Sequence, residues 1–535
     1  MSDHTSAARH AISGVLSGAP PNGIAPDHCG PWGETVAALF AAYETGGTPA
    51  VRRQFEALAR ANKGLAALVA GDAPPIKEAA PAVPALPADA QEVYAHLAPC
   101  GTWLREYITF ASHAAPMTPA SLHEAAGLFT ASVAIARRLC FANGIHTIYP
   151  NLYFLFVAPS TIHHKSTGLN VMRSVLSDAG MLHLLMPHKA SPQAMVADLD
   201  FAKLPTPRQM LDLDAFLQRR AFAAQRGWIR DEASALFASL KQEFNAGLLE
   251  LILELYECPA HYDELTISRG EAKIQRAYLS FFGVSTPVEM GPHFANLSYW
   301  SNGLWARCLV LTPEDDERVF QFFPRTMQPS GAVVRGLRQM YDLFPLPSAS
   351  LESIDIRDGK SERVIQLHNV PQAAQVILAP GVWEAWETYN RAVSHTILLA
   401  RAVDEELYAC YGRLGTLTMK VAMLLAVMDA ELLPVTIELR HYATAQQRVE
   451  VWREGLHRLW TSQSATQETR LMEKVLKRLE RAGTVGMTTR DLCIALRQPA
   501  KEVGEALNLL SKSGKALSGT LKASNGRTVE VWTCQ

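Results

Sequence analysis

The stretch Asn151-Leu-Tyr-Phe-Leu-Phe-Val157-Ala-Pro-Ser-Thr-Ile-His-His-Lys165-Ser-Thr-Gly-Leu-Asn170 decides how this chain is read. Residues 151–157 form a continuous apolar and aromatic run of strand length, followed by a polar loop and then a helical pattern. A strand that feeds through a loop into a helix presents backbone N–H groups and the positive end of the helix dipole at one point, where phosphate is attracted. In that setting Lys165, Ser166 and Thr167 open the helix; the lysine reaches outer phosphates and Ser166 holds magnesium. Pro159 and His164 stand where the usual loop carries glycine. A non-glycine residue at positive φ costs on the order of 1 kcal/mol or more, so the loop either follows another path or is strained. An ordinary strand-to-helix turn with a solvated lysine is the alternative.

Outward from this point, further strands are expected at 226–231, 277–285 and 307–312, separated by helical patterns such as EASALFASLKQEFNAGLLELILELY. Strands alternating with helices imply an α/β core with a mostly parallel sheet. The run Trp228-Ile-Arg-Asp231-Glu232 ends its strand in two adjacent carboxylates. Beside a phosphate loop, Asp231 serves as the magnesium ligand and Glu232 polarises the attacking water; elsewhere such a pair simply favours a helix start. The strand that follows ends in Ser285-Thr286, where Thr286 either positions that water or caps a helix before Pro287. Arg307, ahead of another apolar run, is a candidate arginine finger on a neighbour's nucleotide or a surface salt bridge. Arg413, in YGRLGTLTMKVAMLLA, is a candidate lid-borne phosphate sensor.

The order of these segments is specific. PNLYFLFVAPSTIHHKSTGLN, the IRDEASALF region, LSFFGVSTPVEM, GLWARCLVL and YGRLGTLTMKVAMLLAV together resemble a P-loop NTPase family of phages, prophages and mobile elements, called YfjI-like, over roughly residues 91–460. The resemblance implies a RecA/AAA+-like core, helicase-like work and proximity to primase-polymerase modules. It also implies Ser160, Lys165, Ser166 and Thr167 as the nucleotide-binding loop, Asp231 and Glu232 as the acids, and Arg307 as the arginine.

The remainder divides into an Ala-rich helical region (1–72), a Pro/Ala-rich linker (73–90), the core with its helical lead-in (91–330), a helical subdomain (331–461) and a tail unit (470–535). Residues 471–535 hold eleven Lys/Arg against six Asp/Glu, a local balance of +5 in a chain whose formal charge is -2. Three helices and two short strands flanking Asn525-Gly526, a strong hairpin dipeptide, read as a winged helix. Lys501, Asn508 and Lys512 on its third helix, with Lys522 and Arg527 on the wing, are the expected DNA contacts. Glu502 and Glu505 share that helix, and such modules also join proteins.

At 48% hydrophobic and 19% charged residues, the chain is ordinary globular material. Its eight cysteines are scattered with no CxxC pair, as in reduced cytoplasm, no secretory signal is evident, and the longest apolar stretch is too short to span a bilayer. A cytoplasmic protein away from membranes is expected, with Mg²⁺ and ATP as cofactors. DNA, further copies of itself in a hexameric ring, and a primase or defence-system protein are its expected partners. A nucleic-acid-binding or assembly protein with a non-hydrolysing pocket is the reading from another class. The histidines at 163, 164, 183 and 188 match no zinc spacing, and no structural metal is expected.

Overall fold

The computed structural model describes the chain except for residues 1–7, 9–10, 13–14, 17–20, 22–25, 27–31, 62–82, 145, 160–162, 189–190, 241–246, 267–269, 314–321, 323, 325–327, 357–359, 400–402, 484–485, 497, 513–514, 523–527 and 535. Two compact units result, Met1–Ala82 and Val83–Gln535. In the first, a 29-residue helix, Gly33–Ala61, buries Val36, Leu39 and Val51 in a small cluster with Ala8, Ala11, Ile12 and Val15.

The second unit is built on four strands, β1 (Tyr153–Val157), β2 (Gln225–Arg230), β3 (Tyr278–Ser285) and β4 (Cys308–Leu311). They lie in the order β2-β3-β1-β4, every pairing parallel. All four are buried along their full length, which is why their sequences run apolar without alternation: parallel strands are covered on both faces. An isolated parallel bridge between Leu185 and Gly227 extends the pairing beyond β2.

Helix α1 (Thr102–Ala114) and helix α2 (Ala120–Ile135) precede the sheet, and α2 is buried almost all round. Ser132 on α2 meets the sheet through hydrogen bonds to Tyr278 Oη (2.8 Å) and Ser280 Oγ (2.6 Å). Helix α3 (Lys165–Asp178) follows β1, α4 (Ala233–Ser239) follows β2, α5 (Leu248–Tyr256) leads towards β3 and α6 (Pro287–Phe294) follows it. The apolar stretch noted above, residues 421–433, falls mostly in helix α7 (Leu414–Asp429), which is buried in the core. With the turns before it, Glu405–Asp429 is, against expectation, long and apolar enough to cross a membrane by length and composition, and 83% of its apolar window is buried by protein.

The region 331–461 carries more than helices. Ser348–Ile356 and Lys360–His368 form an antiparallel hairpin with nine residue pairs, and a second hairpin, His261–Thr266 with Gly270–Gln275, lies before β3. In the sequence the first two strands flank Asp358-Gly359, a dipeptide of the kind that marks a hairpin, which itself lies outside the described residues. Residues 462–469, between the expected helical subdomain and the tail unit, are helical and lie inside the 44-residue helix α8 (Leu439–Ala482), which runs from one into the other. Its last turns supply Val475 and Leu479 to a cluster completed by α9 (Thr489–Leu496), α10 (Ala500–Lys512) and the hairpin Ala516–Lys522 with Thr528–Cys534. Three helix segments and a two-stranded hairpin are thus present in the expected order.

Candidate active site

The carboxyl ends of β1, β2 and β3 converge where the chain order reverses. From β1 it passes to β2 at the edge, returns to β3 beside β1, then crosses to β4 on β1's other side. Such a switch point opens a crevice beyond the strand ends.

Lys165 begins α3 in this crevice, and its Nζ donates to the carbonyls of Ala158 (2.5 Å) and Pro159 (3.2 Å) at the mouth of the loop. Burial lowers its pKa, opposed by the nearby charges of Asp231 and Glu289. His164, at the N-cap, has φ 38° and ψ 45°, the left-handed conformation a glycine adopts freely. The strained alternative is therefore the one realised. Its carbonyl is held by Thr118 Oγ1 at 3.1 Å and by the N–H groups of Thr167 and Gly168. A Cβ on Gly168 would lie 2.7 Å from Leu122 Cδ2 and 2.9 Å from Thr118 Cγ2, so a larger residue there would require these side chains to shift where α3 packs on α2. Ser166 is exposed and Thr167 half-buried at the first turn, while Ser160 lies outside the described residues.

Asp231 and Glu232 are exposed just past β2, and Glu232 is also left-handed (φ 59°) at the N-cap of α4. Backbone strain of this kind costs on the order of 1–3 kcal/mol and tends to gather at functional sites. Among the described residues seven non-glycine positions have positive φ, and two of them flank this one crevice.

At the tip of β3 the residues sort differently from expectation. Thr286 caps α6, its Oγ1 accepting from Glu289 N at 3.3 Å, while Ser285 is buried at the strand end. Thr286-Pro-Val-Glu289 has the sequence of a capping box, yet the Glu289 carboxylate accepts from Ser285 Oγ and Ser234 Oγ, both at 3.2 Å. This turns Glu289 towards Lys165 and adds a carboxylate that sequence reasoning missed; the capping-box pattern hid it.

Arg307 and Arg413 are brought together, away from Lys165. Both donate to Glu257 Oε1 at 2.9 Å, and both guanidinium groups lie over the Tyr256 ring, at 5.7 and 5.4 Å. Lys420 Nζ sits 4.0 Å from the same ring centre, bonded to Asn151, with burial pushing its pKa down to about 8. Cys308, next to Arg307, pairs with Tyr153, so this cationic group lies at the amino ends of the strands. The five residues of β1 separate it from the loop, roughly 16 Å at 3.3 Å per residue.

Lys501 and Asn508 are exposed on α10 with Glu502 and Glu505; Arg527 and the side chains of Lys512 and Lys522 lie outside the described residues. No described group of three His, Cys, Asp or Glu side chains is gathered to hold a metal. Oxygen donors of the kind magnesium takes are nonetheless exposed at the crevice in Ser166 and Asp231. Comparison with family models and with curated proteins finds no match to this chain.

Proposed function

We propose that the chain is an ATP-driven P-loop motor with a RecA/AAA+-like core and a winged-helix tail, acting on DNA as a ring, and that it belongs with the YfjI-like NTPases. The observation that carries the reading is the convergence of Lys165, Asp231, Glu232, Ser285 and Glu289 on one crevice at the switch point of a parallel sheet. Lys165 and the amino end of α3 bind the β- and γ-phosphates. Ser166 and Asp231 hold Mg²⁺, which neutralises the charge that develops on the transferred phosphoryl group. Glu232 polarises the attacking water, with Ser285 and Glu289 bordering the same space.

Arg307 lies too far from Lys165 to serve its own nucleotide, so as a finger it would act on a neighbouring subunit in a closed ring, with Arg413 beside it; its ion pair with Glu257 is the salt-bridge alternative. Glu257, half-exposed, holds the two guanidinium groups until a phosphate replaces it. The tail's basic balance and its helix-plus-hairpin build support DNA as the substrate track. A primase or a defence-system protein is the expected companion.

Magnesium-dependent ATP hydrolysis by the purified chain, with and without single-stranded DNA, is the test. Turnover abolished by Lys165→Ala supports the motor. A folded protein with no turnover under either condition is instead an assembly or nucleic-acid-binding protein with a non-hydrolysing pocket.

A further inference from the structure

A cavity of about 230 Å³ lies at the carboxyl end of β4, lined there by Val310, Leu311 and Thr312. It is smaller than the roughly 300–1,000 Å³ typical of sites that enclose a whole drug-sized ligand, so it suits one moiety of a larger molecule. Its walls come from three elements: Pro119 at the start of α2, Thr312 and Pro313 just past β4, and Val451, Trp452 and Gly455 on α8. Its polar edge is the ion pair of Glu124 and Arg448, with Nε 2.6 Å from Oε1, and Arg458 lies at the rim.

We propose that this cavity seats the base of the nucleotide whose phosphates lie on Lys165, making the ligand a nucleoside triphosphate rather than a bare polyphosphate or another phosphorylated group. The inference rests on the phosphate site proposed above. Direction carries it first. The acids Asp231 and Glu289 lie past β2 and β3 on one side of β1, so the metal-bound end of a triphosphate points that way and its other end runs towards β4. Distance carries it second. Phe156 pairs with Leu311, so Thr312 follows beside the end of β1, about one strand spacing (~4.8 Å) from the loop. Thr118, which holds the loop through the His164 carbonyl, is immediately followed by Pro119 of the cavity wall.

Gly455 supplies an independent observation. Glycine inside a helix costs about 1 kcal/mol relative to alanine. A Cβ there would meet Val310 O at 3.5 Å and Arg458 Nη2 at 3.8 Å, ordinary contacts, so protein packing does not demand the glycine. What its missing side chain leaves is cavity. Val451, 44% exposed, and Pro119 and Pro313 offer apolar surface for a planar ring.

The test measures binding of Mg-ATP and of inorganic tripolyphosphate to the full chain, to Gly455→Leu and to Val451→Trp, which fills the cavity from an exposed position. Wild type should bind ATP at least tenfold more tightly than tripolyphosphate. Each filled variant should lose at least tenfold in ATP affinity while tripolyphosphate binding stays within twofold. Should Gly455→Leu fail to fold, Val451→Trp decides. Undiminished ATP affinity in the folded variants overturns the base seat alone, whereas a wild-type chain that binds neither ligand overturns the phosphate site beneath it.

Discussion

At the residue scale, Lys165 is one ammonium at a loop mouth, with loop carbonyls as its partners. If phosphate binds there as proposed, Lys165→Ala would remove a charge-assisted bond worth about 1.5–3 kcal/mol, so ATP affinity should fall roughly 10- to 150-fold with thermal stability unchanged. Isothermal titration checks this, and equal affinity in the mutant would refute the site. On the proposed reading, Glu232→Gln would keep Asp231 for the metal and remove only the carboxylate assigned to the attacking water. Single-turnover hydrolysis should drop about 10²–10⁴-fold while ATP stays bound. If Glu289→Gln gives the larger loss, the base is the carboxylate held by Ser285 and Ser234. His164 carries the strain of a left-handed N-cap. His164→Gly should therefore be neutral or stabilising by up to ~1 kcal/mol, while β-branched His164→Val should destabilise by ~1–2 kcal/mol, as denaturant melts would show.

At the scale of elements, α1 begins without a cap from its own neighbourhood: Gly101, its N-cap residue, makes no side-chain bond. Asp429, at the end of α7 and 328 residues on from Gly101, supplies it, accepting from Gly101 N and Thr102 N at 2.9 Å each. His441 Nε2 also approaches at 3.2 Å and Arg440 at 3.5 Å. Burial alone would raise the Asp429 pKa, but the hydrogen bonds from His441, Thr102 and Gly101 outweigh it and hold the carboxyl well below its usual range. A depressed folded pKa means that this stabilisation is fully present above the unfolded value, near 3.9, and is lost as pH falls below it. Asp429→Asn should cost about 1–3 kcal/mol at neutral pH and flatten the acid limb of stability below about pH 4. An unchanged acid limb would show that other carboxylates dominate it. The same capping logic explains buried Arg138, whose guanidinium donates to the carbonyls of Ala134 and Ile135 in the last turn of α2 and of Tyr341 and Phe344 at the end of the helix Gly331–Asp342.

At the scale of the whole molecule, the tail has its own apolar cluster, to which α8 contributes Val475 and Leu479. Truncation after Glu468 removes that part of α8 together with the cluster, while Lys165, Asp231, Glu232 and Arg307 all remain. DNA affinity should fall and its dependence on salt should flatten, because fewer DNA phosphates are then neutralised and fewer condensed counterions are released on binding. DNA-independent ATP hydrolysis should survive. Charge reversal of Lys501, Lys512, Lys522 and Arg527 tests the same surface without deleting it. Wild-type affinity and salt slope in that quadruple variant would make the tail a protein-docking module.

What the sequence alone determined was local. The four core strands were legible because strands buried on both faces must be apolar throughout, and the Lys165 helix start and Asp231-Glu232 were legible because strand, loop and helix succeed one another within a few residues. The hairpin at 348–368 was readable in principle from Asp358-Gly359, but its short apolar spacings were lost among stronger helical periods. Only the tertiary structure decided what depends on residues distant in the chain. The order β2-β3-β1-β4 sets which acids face the lysine, and side-chain direction turns Glu289 from a capping box into the crevice. Arg413 joins Arg307 because both meet Glu257, 156 and 50 residues away in sequence. Periodicity carries no record of such meetings, since the free energy that fixes them comes from burying whole faces and pairing charges across the fold, not from any one segment's preference.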